Sequence, residues 1–215
     1  MRVRKIVTRS GKRFRGKFPS RKMKTMIHWE SLLELDAIHL FEFHPSIVSY
    51  YEQPSEEFYY DHEGRHRTYF PDFLLVFRSG KRLLVEVKPK ALLDNPTLQN
   101  KYRAIAKRFA DQDRPFRVLT EDEIRKEPLR TNLRTLRNHS KKVAHCVVDQ
   151  QVQEAISAQA TWRFDELSHL LGGNQHVYQH IYLDGLRMNL DAPITDCSVV
   201  HTQTQMGGQF DPFCI

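Results

Sequence analysis

Residues 69–88 constrain this chain more than any other segment, because they form two apolar runs around a short turn at Ser79 and Gly80. Such a pattern is typical of a β-hairpin. Three charged residues interrupt the apolar runs: Asp72, Glu86 and Lys88. Charge in a buried strand is costly unless it is paired or binds a metal, and residues two apart share one face of a strand. If the two carboxylates and the ammonium share one face, the segment therefore offers a compact site for a divalent cation.

The hairpin must satisfy a register condition if Asp72 is to lie on the same face as Glu86 and Lys88. Side chains alternate along a strand, so the numbers of paired residues must add to an even value. A two-residue loop at Ser79 and Gly80 gives an odd value and turns Asp72 to the opposite face. We therefore predict a three- or five-residue loop, or a β-bulge near Asp72.

The cluster has the residue types that hydrolysis of a phosphodiester requires. Mg²⁺ prefers a few carboxylate oxygens together with water and substrate phosphate. We expect Asp72 to be the bridging ligand, with Glu86 and the backbone carbonyl of Val87 completing the protein side. Lys88 is placed to stabilise the attacking hydroxide or the developing negative charge. The alternative is a surface hairpin in which Glu86 and Lys88 form a same-face salt bridge.

A helix predicted over residues 29–42 supplies a fourth candidate, Glu34. At about 100° per residue, this glutamate and Glu30 fall within an apolar arc that comprises Ala37, Ile38, Leu40 and Phe41. Glu34 is thus a candidate for a second-metal ligand or for a residue that orients water, and Glu30 is a nearby competitor for that role. An equally good interpretation buries Leu32, Leu33 and Leu35 instead, since the helix is apolar on most sides.

The surrounding pattern predicts an α/β domain. After the helix, strands are expected at residues 47–51, 57–60, 67–77 and 81–88, forming a mostly antiparallel meander. Asn95 and Pro96 then begin a helix, whose apolar face is Leu98, Tyr102, Ile105 and Phe109. This helix is the crossover that brings a strand at residues 115–119 into the sheet in parallel. Residues 120–123 are predicted to form the capping box of a short helix.

The positive charge of the chain is concentrated at its N-terminus. The net charge is +7, but residues 1–24 hold eleven Lys or Arg and no acid, so the remainder is net negative. A basic arm favours a polyanion such as nucleic acid, although a solvated tail or a transit peptide has the same composition. A helix from residue 129 carries a second basic row that includes Lys141, and a solvated face is the commoner interpretation of such a row. The predicted DNA contacts are Arg13, Arg15, Lys17, Arg21, Lys22, Lys24, Arg130, Arg134 and Arg137.

The composition changes near residue 143, where Gln and His increase and the basic excess ends. Three short helices and a hairpin are expected in residues 143–200, with Gly172 and Gly173 ending the second helix and Asn174 capping the third. This order is typical of a winged helix, which binds DNA or docks a protein. The predicted organisation is a basic arm (1–24), an α/β domain (25–142, with a basic connecting helix at 129–142), a winged-helix domain (143–200) and a polar tail (201–215).

Two observations concern the compartment. No apolar run approaches the ~18 residues of a membrane span, and the N-terminus lacks the apolar region of a secretory signal. The three cysteines, Cys146, Cys197 and Cys214, lie far apart without zinc-site spacing, which suits a reducing compartment. We therefore expect a cytoplasmic protein that is not bound to a membrane.

Several motifs together resemble the TnsA endonucleases of heteromeric transposons. They are Trp29-Glu-Ser-Leu-Leu-Glu34, Pro45-Ser-Ile-Val-Ser-Tyr-Tyr-Glu-Gln-Pro54, Tyr69-Phe-Pro-Asp-Phe73 and Val85-Glu-Val-Lys-Pro89. The resemblance covers about residues 20–127, and the C-terminal part is similar in layout to the winged-helix domain of that family.

The resemblance implies a restriction-endonuclease-like core, a mixed sheet flanked by helices, that binds Mg²⁺, with Mn²⁺ able to substitute. The helix glutamate corresponds to Glu34, the metal ligands to Asp72 and Glu86, and the lysine to Lys88. Some members have Gln where Glu86 stands. The implied activity is cleavage at the 5′ ends of a transposon in the bacterial cytoplasm, and the implied partners are transposon-end DNA, a TnsB-like DDE transposase and a TnsC-like AAA+ regulator bound by the C-terminal region. The rivals are a stand-alone restriction-type or repair nuclease and a non-catalytic DNA- or protein-binding adaptor.

Overall fold

The computed structural model describes residues 14–140, 150–183 and 185–202. It consists of two compact units, Met1–Arg125 and Lys126–Ile215. Within the described ranges, no helix has both the length and the apolarity needed to cross a membrane. Arg13 and Lys141, from the two predicted basic segments, lie outside those ranges, as does the predicted tail beyond residue 202.

The N-terminal unit is built on a four-stranded mixed sheet. Its elements are β1 (Gly16–Ser20), β2 (Thr25–Trp29), α1 (Leu32–Phe43), β3 (Ile47–Glu52), β4 (Glu57–Tyr60), β5 (His66–Tyr69), β6 (Phe73–Phe77), β7 (Arg82–Val87), α2 (Lys90–Leu93), α3 (Pro96–Ala110), β8 (Phe116–Leu119) and α4 (Glu121–Ile124). The sheet order is β3-β6-β7-β8. The first three strands are antiparallel and β8 is parallel to β7, so the predicted crossover through α3 is confirmed.

The predicted meander is wrong in one respect. The strand expected over residues 67–77 is divided into β5 and β6, and β5 pairs with β4 in a separate two-stranded sheet. Pro71 lies at the division, and a proline cannot donate to a strand ladder. β6 instead pairs with β3, and the amide of Gln53 donates to the carbonyl of Asp72 at 2.8 Å. The β4–β5 hairpin is therefore an insertion between two neighbouring strands of the central sheet.

Helix α1 begins later than predicted, because Ser31 is its N-cap and accepts a hydrogen bond from the amide of Glu34. Trp29 closes β2 instead of beginning the helix. The predicted apolar arc is confirmed, since Ala37, Ile38, Leu40 and Phe41 are all buried. Of the competing set, Leu33 is also buried, but Leu32 is 49% exposed.

The two faces of the central sheet are covered by different helices. The ring of Phe41 in α1 packs edge-on against Phe73 in β6, with centroids 5.3 Å apart. On the other face, Leu84 of β7 belongs to a buried cluster with α3 and the β4–β5 hairpin, comprising Tyr59, Tyr69, Tyr102, Ile105 and Phe109. Alternation along β7 sends its neighbouring residues to these two layers, so β7 is buried along nearly its whole length.

Part of the predicted basic arm is folded. β1 and β2 pair as an antiparallel hairpin, and its turn is held by the buried carboxylate of Glu42. That carboxylate accepts from the hydroxyls of Ser20 and Tyr50 and from the amides of Arg21 and Lys22. The boundary expected at residue 24 therefore falls within a hairpin of the N-terminal unit.

The C-terminal unit contains the predicted helices and hairpin. Its elements are α5 (Leu129–Ser140), α6 (Gln150–Ser157), β9 (Thr161–Arg163), α7 (Phe164–Leu171), α8 (Asn174–Tyr182), β10 (Arg187–Met188) and β11 (Val199–His201). The three strands form an antiparallel sheet of order β10-β11-β9. Strand β9 was not predicted, because only three residues form it.

Two further details of this unit differ from expectation. Asn174 is the first helical residue of α8, and Gly173, at φ 138°, is the N-cap. Helix α5 was predicted to end the preceding domain, but it belongs to the C-terminal unit. The buried side chain of Asn132 explains this placement, since it donates to the carbonyls of Leu190 and Ala192, each at 2.8 Å.

Candidate active site

The β6–β7 hairpin satisfies the register condition. Phe73 pairs with Val85 and Val76 with Arg82, so paired numbers add to an even value throughout. The loop has three residues and closes with the Phe77 amide donating to the Lys81 carbonyl at 2.9 Å. Gly80, the last loop residue, has φ 82°, a conformation that glycine adopts without strain. The predicted three-residue loop is confirmed, and continuing the register by one residue places Asp72 opposite Glu86.

The predicted charged cluster is assembled at this end of the hairpin. The ammonium of Lys88 lies 2.9 Å from Oε1 of Glu86 and 3.6 Å from Oδ2 of Asp72. The amide of Val87 donates to Oδ2 of Asp72 at 2.8 Å. The side chain of Glu86 is 4% exposed and that of Asp72 is 16% exposed. A surface salt bridge, the alternative interpretation, does not describe two largely buried carboxylates around one ammonium.

The electrostatics of the cluster are those of two acids that share one base. Burial, and then the charge of Glu86, raise the pKa of Asp72 well above its ordinary value, against the opposing effect of Lys88. Burial alone would lower the pKa of Lys88, but Asp72 and Glu86 outweigh it and raise that pKa. The lysine is therefore protonated at neutral pH, and the charged form of Asp72 is disfavoured unless a further cation is near.

Glu34 lines the same cleft from the first turn of α1. Its carboxylate accepts from the Glu30 amide at 2.8 Å and from the Ser31 hydroxyl at 3.2 Å. Burial raises its pKa, and the Glu30 amide and Lys88 oppose that shift. Glu34 therefore both caps its own helix and faces the cluster, and Glu30, the competing candidate, also lines the cleft.

The cleft has a volume of about 820 Å³ and contains residues that the sequence analysis did not single out. Tyr69 and Tyr102 donate to the carboxylate of Glu86. The ammonium of Lys101 lies 5.4 Å and 5.3 Å from the centroids of these two rings. Gln53 also lines the cleft, and its φ of 39° is unusual for a residue other than glycine. The sequence feature that could have identified Tyr69 and Tyr102 is their position among the apolar residues of a strand and a helix, because a buried hydroxyl needs a hydrogen-bond partner.

The donor set fits a magnesium ion better than a metal that needs several protein ligands. Across the described ranges, no three His, Cys, Asp or Glu side chains are grouped closely enough to hold a metal by themselves. Asp72 and Glu86 nevertheless provide two carboxylates in one cleft, and Mg²⁺ is commonly held by one or two carboxylates plus water and phosphate. The raised pKa of Asp72 is consistent with such an ion, since a cation near the two carboxylates would stabilise its charged form.

The predicted DNA contacts fall into distinct structural situations. Lys22 has a structural partner, since its ammonium donates to the carbonyls of Phe41 and His44 at 2.8 Å and 2.9 Å, near the C-terminal end of α1. Arg130, Arg134 and Arg137 form one row on α5, in which Arg134 is exposed and the other two are half-buried. Four members of the folded arm are at least partly exposed: Arg15, Lys17, Arg21 and Lys24.

Comparison with known proteins supports the resemblance. Residues 44–121 match the family described as the N-terminal domain of TnsA-like endonucleases. The matched segment contains Asp72, Glu86, Val87 and Lys88, whereas Glu34 precedes it. None of the curated proteins matches the chain.

Proposed function

We propose that this chain, whose residues 44–121 match the N-terminal domain of TnsA-like endonucleases, is the Mg²⁺-dependent subunit of a transposase that hydrolyses phosphodiester bonds at the 5′ ends of a transposon. The observation that supports this proposal most strongly is the convergence of Asp72, Glu86 and Lys88 in one cleft of the matched domain. Burying two carboxylates and a lysine together costs desolvation energy, and a non-catalytic nuclease core does not account for that cost.

Asp72, Glu86 and the carbonyl of Val87 would hold the metal ion. When bound, Mg²⁺ neutralises charge on the phosphate and lowers the pKa of a bound water, which makes that water a nucleophile. Mn²⁺ also accepts carboxylate and carbonyl ligands, so we expect it to substitute. The amide of Val87, which donates to Asp72 at 2.8 Å, would hold that carboxylate in place to bind the ion.

Lys88 would act on the substrate through its charge. Its raised pKa keeps the ammonium protonated, so it does not serve as a base at neutral pH. A fixed cation beside the metal ligands stabilises the extra negative charge of the transition state. Glu34, which lines the same cleft, would orient the attacking water or bind a second metal ion.

Lys101 is a further candidate for substrate binding. It lines the cleft and projects over the rings of Tyr69 and Tyr102, where cation–π contacts restrict its ammonium. We expect it to contact a DNA phosphate beside the scissile bond. Replacing it with Ala should weaken DNA binding. The slope of the logarithm of the binding constant against the logarithm of the salt concentration should fall by about one, the value for one phosphate contact. Lys107, exposed on the same helix α3, is the matched control, and equal effects at both positions would contradict this role.

The remaining roles rest on the resemblance. A TnsB-like DDE transposase would cut the other strand at each transposon end, and a TnsC-like AAA+ regulator would bind the C-terminal unit. That unit would then be a winged-helix domain, in keeping with its helices and its antiparallel hairpin. Its helix α8 is polar but not basic, which favours a protein partner over DNA.

The test is strand cleavage of transposon-end DNA by the full chain, with the partner transposase and Mg²⁺. Asp72→Ala and Lys88→Ala should each abolish cleavage at the 5′ ends, whereas Asp111→Ala, at an exposed position of the same unit, should cleave normally. Full activity of both site variants would contradict the catalytic assignment. Cleavage of arbitrary DNA by the chain alone would instead favour a stand-alone nuclease.

A further inference from the structure

The carboxylate of Glu86 is held from two sides by tyrosines. The hydroxyl of Tyr69 donates to Oε2 at 2.6 Å, and the hydroxyl of Tyr102 donates to Oε1 at 2.9 Å. Both donors are buried, at 4% and 6% exposure. Tyr69 is the last residue of β5 and Tyr102 lies in α3, so two separate elements fix one side chain of β7.

These hydroxyls are not required to fill the core. Tyr69 and Tyr102 lie in a cluster whose other aromatic members include Phe109, and phenylalanine would bury a ring of the same size there. A buried hydroxyl stabilises the fold only if it has a partner. Here both hydroxyls have the same partner, a carboxylate that lines the cleft.

The contacts also determine which part of Glu86 remains available. A carboxylate has about four lone-pair positions. Oε1 accepts from Tyr102 and from Lys88, whereas Oε2 accepts from Tyr69. One position on Oε2 is therefore left to face a cation. Groups that hold a ligating carboxylate in this way typically change metal affinity or activity by about 10- to 100-fold when they are removed.

We infer that Tyr69 and Tyr102 are positioning residues that hold Glu86 in the orientation in which it binds the metal ion. This inference rests on the proposed function, since it concerns the same site. It also gives the β4–β5 hairpin a role: the inserted hairpin brings Tyr69 to the cleft, three residues before Asp72.

The test uses the full chain and measures metal binding separately from catalysis. Mn²⁺ binding without DNA is followed by electron paramagnetic resonance for the wild type, Tyr69→Phe, Tyr102→Phe and the control Tyr59→Phe. Tyr59 belongs to the same buried cluster, but its hydroxyl is not among the donors to Glu86. We expect each site variant to bind Mn²⁺ about 10-fold more weakly and to need correspondingly more Mg²⁺ for half-maximal cleavage. The control should match the wild type in both measurements.

Thermal unfolding without metal identifies any variant that has lost its fold. If either Tyr69→Phe or Tyr102→Phe is unfolded, the remaining folded variant shows whether the tyrosine hydroxyl affects Mn²⁺ binding. The inference is overturned if the folded site variants bind Mn²⁺ as the wild type does, or if the control is weakened equally. If the wild type itself neither binds Mn²⁺ nor cleaves, the proposed function fails. If the wild type does both and the phenylalanine variants are unchanged, only the role of the tyrosines is lost.

Discussion

Replacing Lys88 with Met tests whether the N-terminal unit depends for its stability on a cation beside the two carboxylates of the cleft. Methionine keeps an unbranched apolar side chain but removes the ammonium that lies 2.9 Å from Glu86 and 3.6 Å from Asp72. We therefore expect the N-terminal unit to become less stable when no divalent ion is present.

The contacts determine the size of the effect. At an effective dielectric constant of about 20, one contact at about 4 Å is worth about 4 kcal/mol before desolvation is counted. Removing one partner of a buried ion pair typically costs about 3–5 kcal/mol. The Lys88 side chain is 28% exposed, so solvent screening favours the lower end, about 3 kcal/mol.

Urea unfolding is the appropriate assay, because the chain has two tryptophans, one in each unit: Trp29 and Trp162. A Trp162→Phe background leaves Trp29 as a fluorescent reporter of the N-terminal unit. Stability is measured with a chelator and again with Mg²⁺, which at about 100-fold excess over its dissociation constant adds about 2.7 kcal/mol to any folded form that binds it.

Lys81→Met is the matched control, since Lys81 is exposed at the turn of the same hairpin. We expect Lys88→Met to be about 3 kcal/mol less stable than this control in the chelator. The difference in unfolding free energy should narrow with Mg²⁺, because loss of the competing ammonium strengthens binding of the ion to the two carboxylates. Equal stability of the two variants in the chelator, or a difference that Mg²⁺ leaves unchanged, would refute the reasoning.

Three other predictions follow from single side chains. Because the pKa of Asp72 is raised in the folded state, wild-type stability without metal should fall as pH rises from the ordinary carboxyl range through that raised pKa. Asp72→Asn should remove this slope and be more stable than the wild type at neutral pH in urea titrations, and a slope that persists in the variant would contradict this. Glu42→Gln should cost about 2 kcal/mol in thermal unfolding, since an amide cannot accept all four bonds that close the β1–β2 turn; an unchanged midpoint would contradict that role. Asn132→Ala should destabilise the C-terminal unit by about 2 kcal/mol, because the carbonyls of Leu190 and Ala192 lose their donor; Trp162 fluorescence reports this, and a loss at Trp29 instead would contradict it.

The local part of the site could be predicted from the sequence. Alternation along two strands and the parity of their register are properties of the backbone, so the placement of Asp72 opposite Glu86 followed from the requirement of a shared face. The capping box at Thr120 and the N-cap at Asn95 were predictable for the same reason, since a cap depends on neighbours in the chain.

The contacts between distant elements could not be predicted in this way. Which strands pair depends on tertiary packing, so the pairing of β3 with β6 around an inserted hairpin was missed. The hydrogen bond from Tyr102 to Glu86 could not be predicted for the same reason. The helical spacing of Tyr102 predicts that its ring is buried, but not which side chain its hydroxyl contacts. Lys22 was expected to contact DNA because of its charge, and only the folded chain brings the carbonyls of Phe41 and His44 to its ammonium.

Single-turnover cleavage of transposon-end DNA by the wild type and by Asp72→Asn, each with the partner transposase and Mg²⁺, tests the central claim most directly. Asparagine retains the shape of the side chain and an acceptor for the Val87 amide, but removes the charge that would hold the metal ion. We expect the rate at the 5′ ends to fall by at least about 100-fold, a loss of at least about 2.7 kcal/mol of transition-state stabilisation, while the variant remains folded. Cleavage at the wild-type rate by the folded variant would contradict the account.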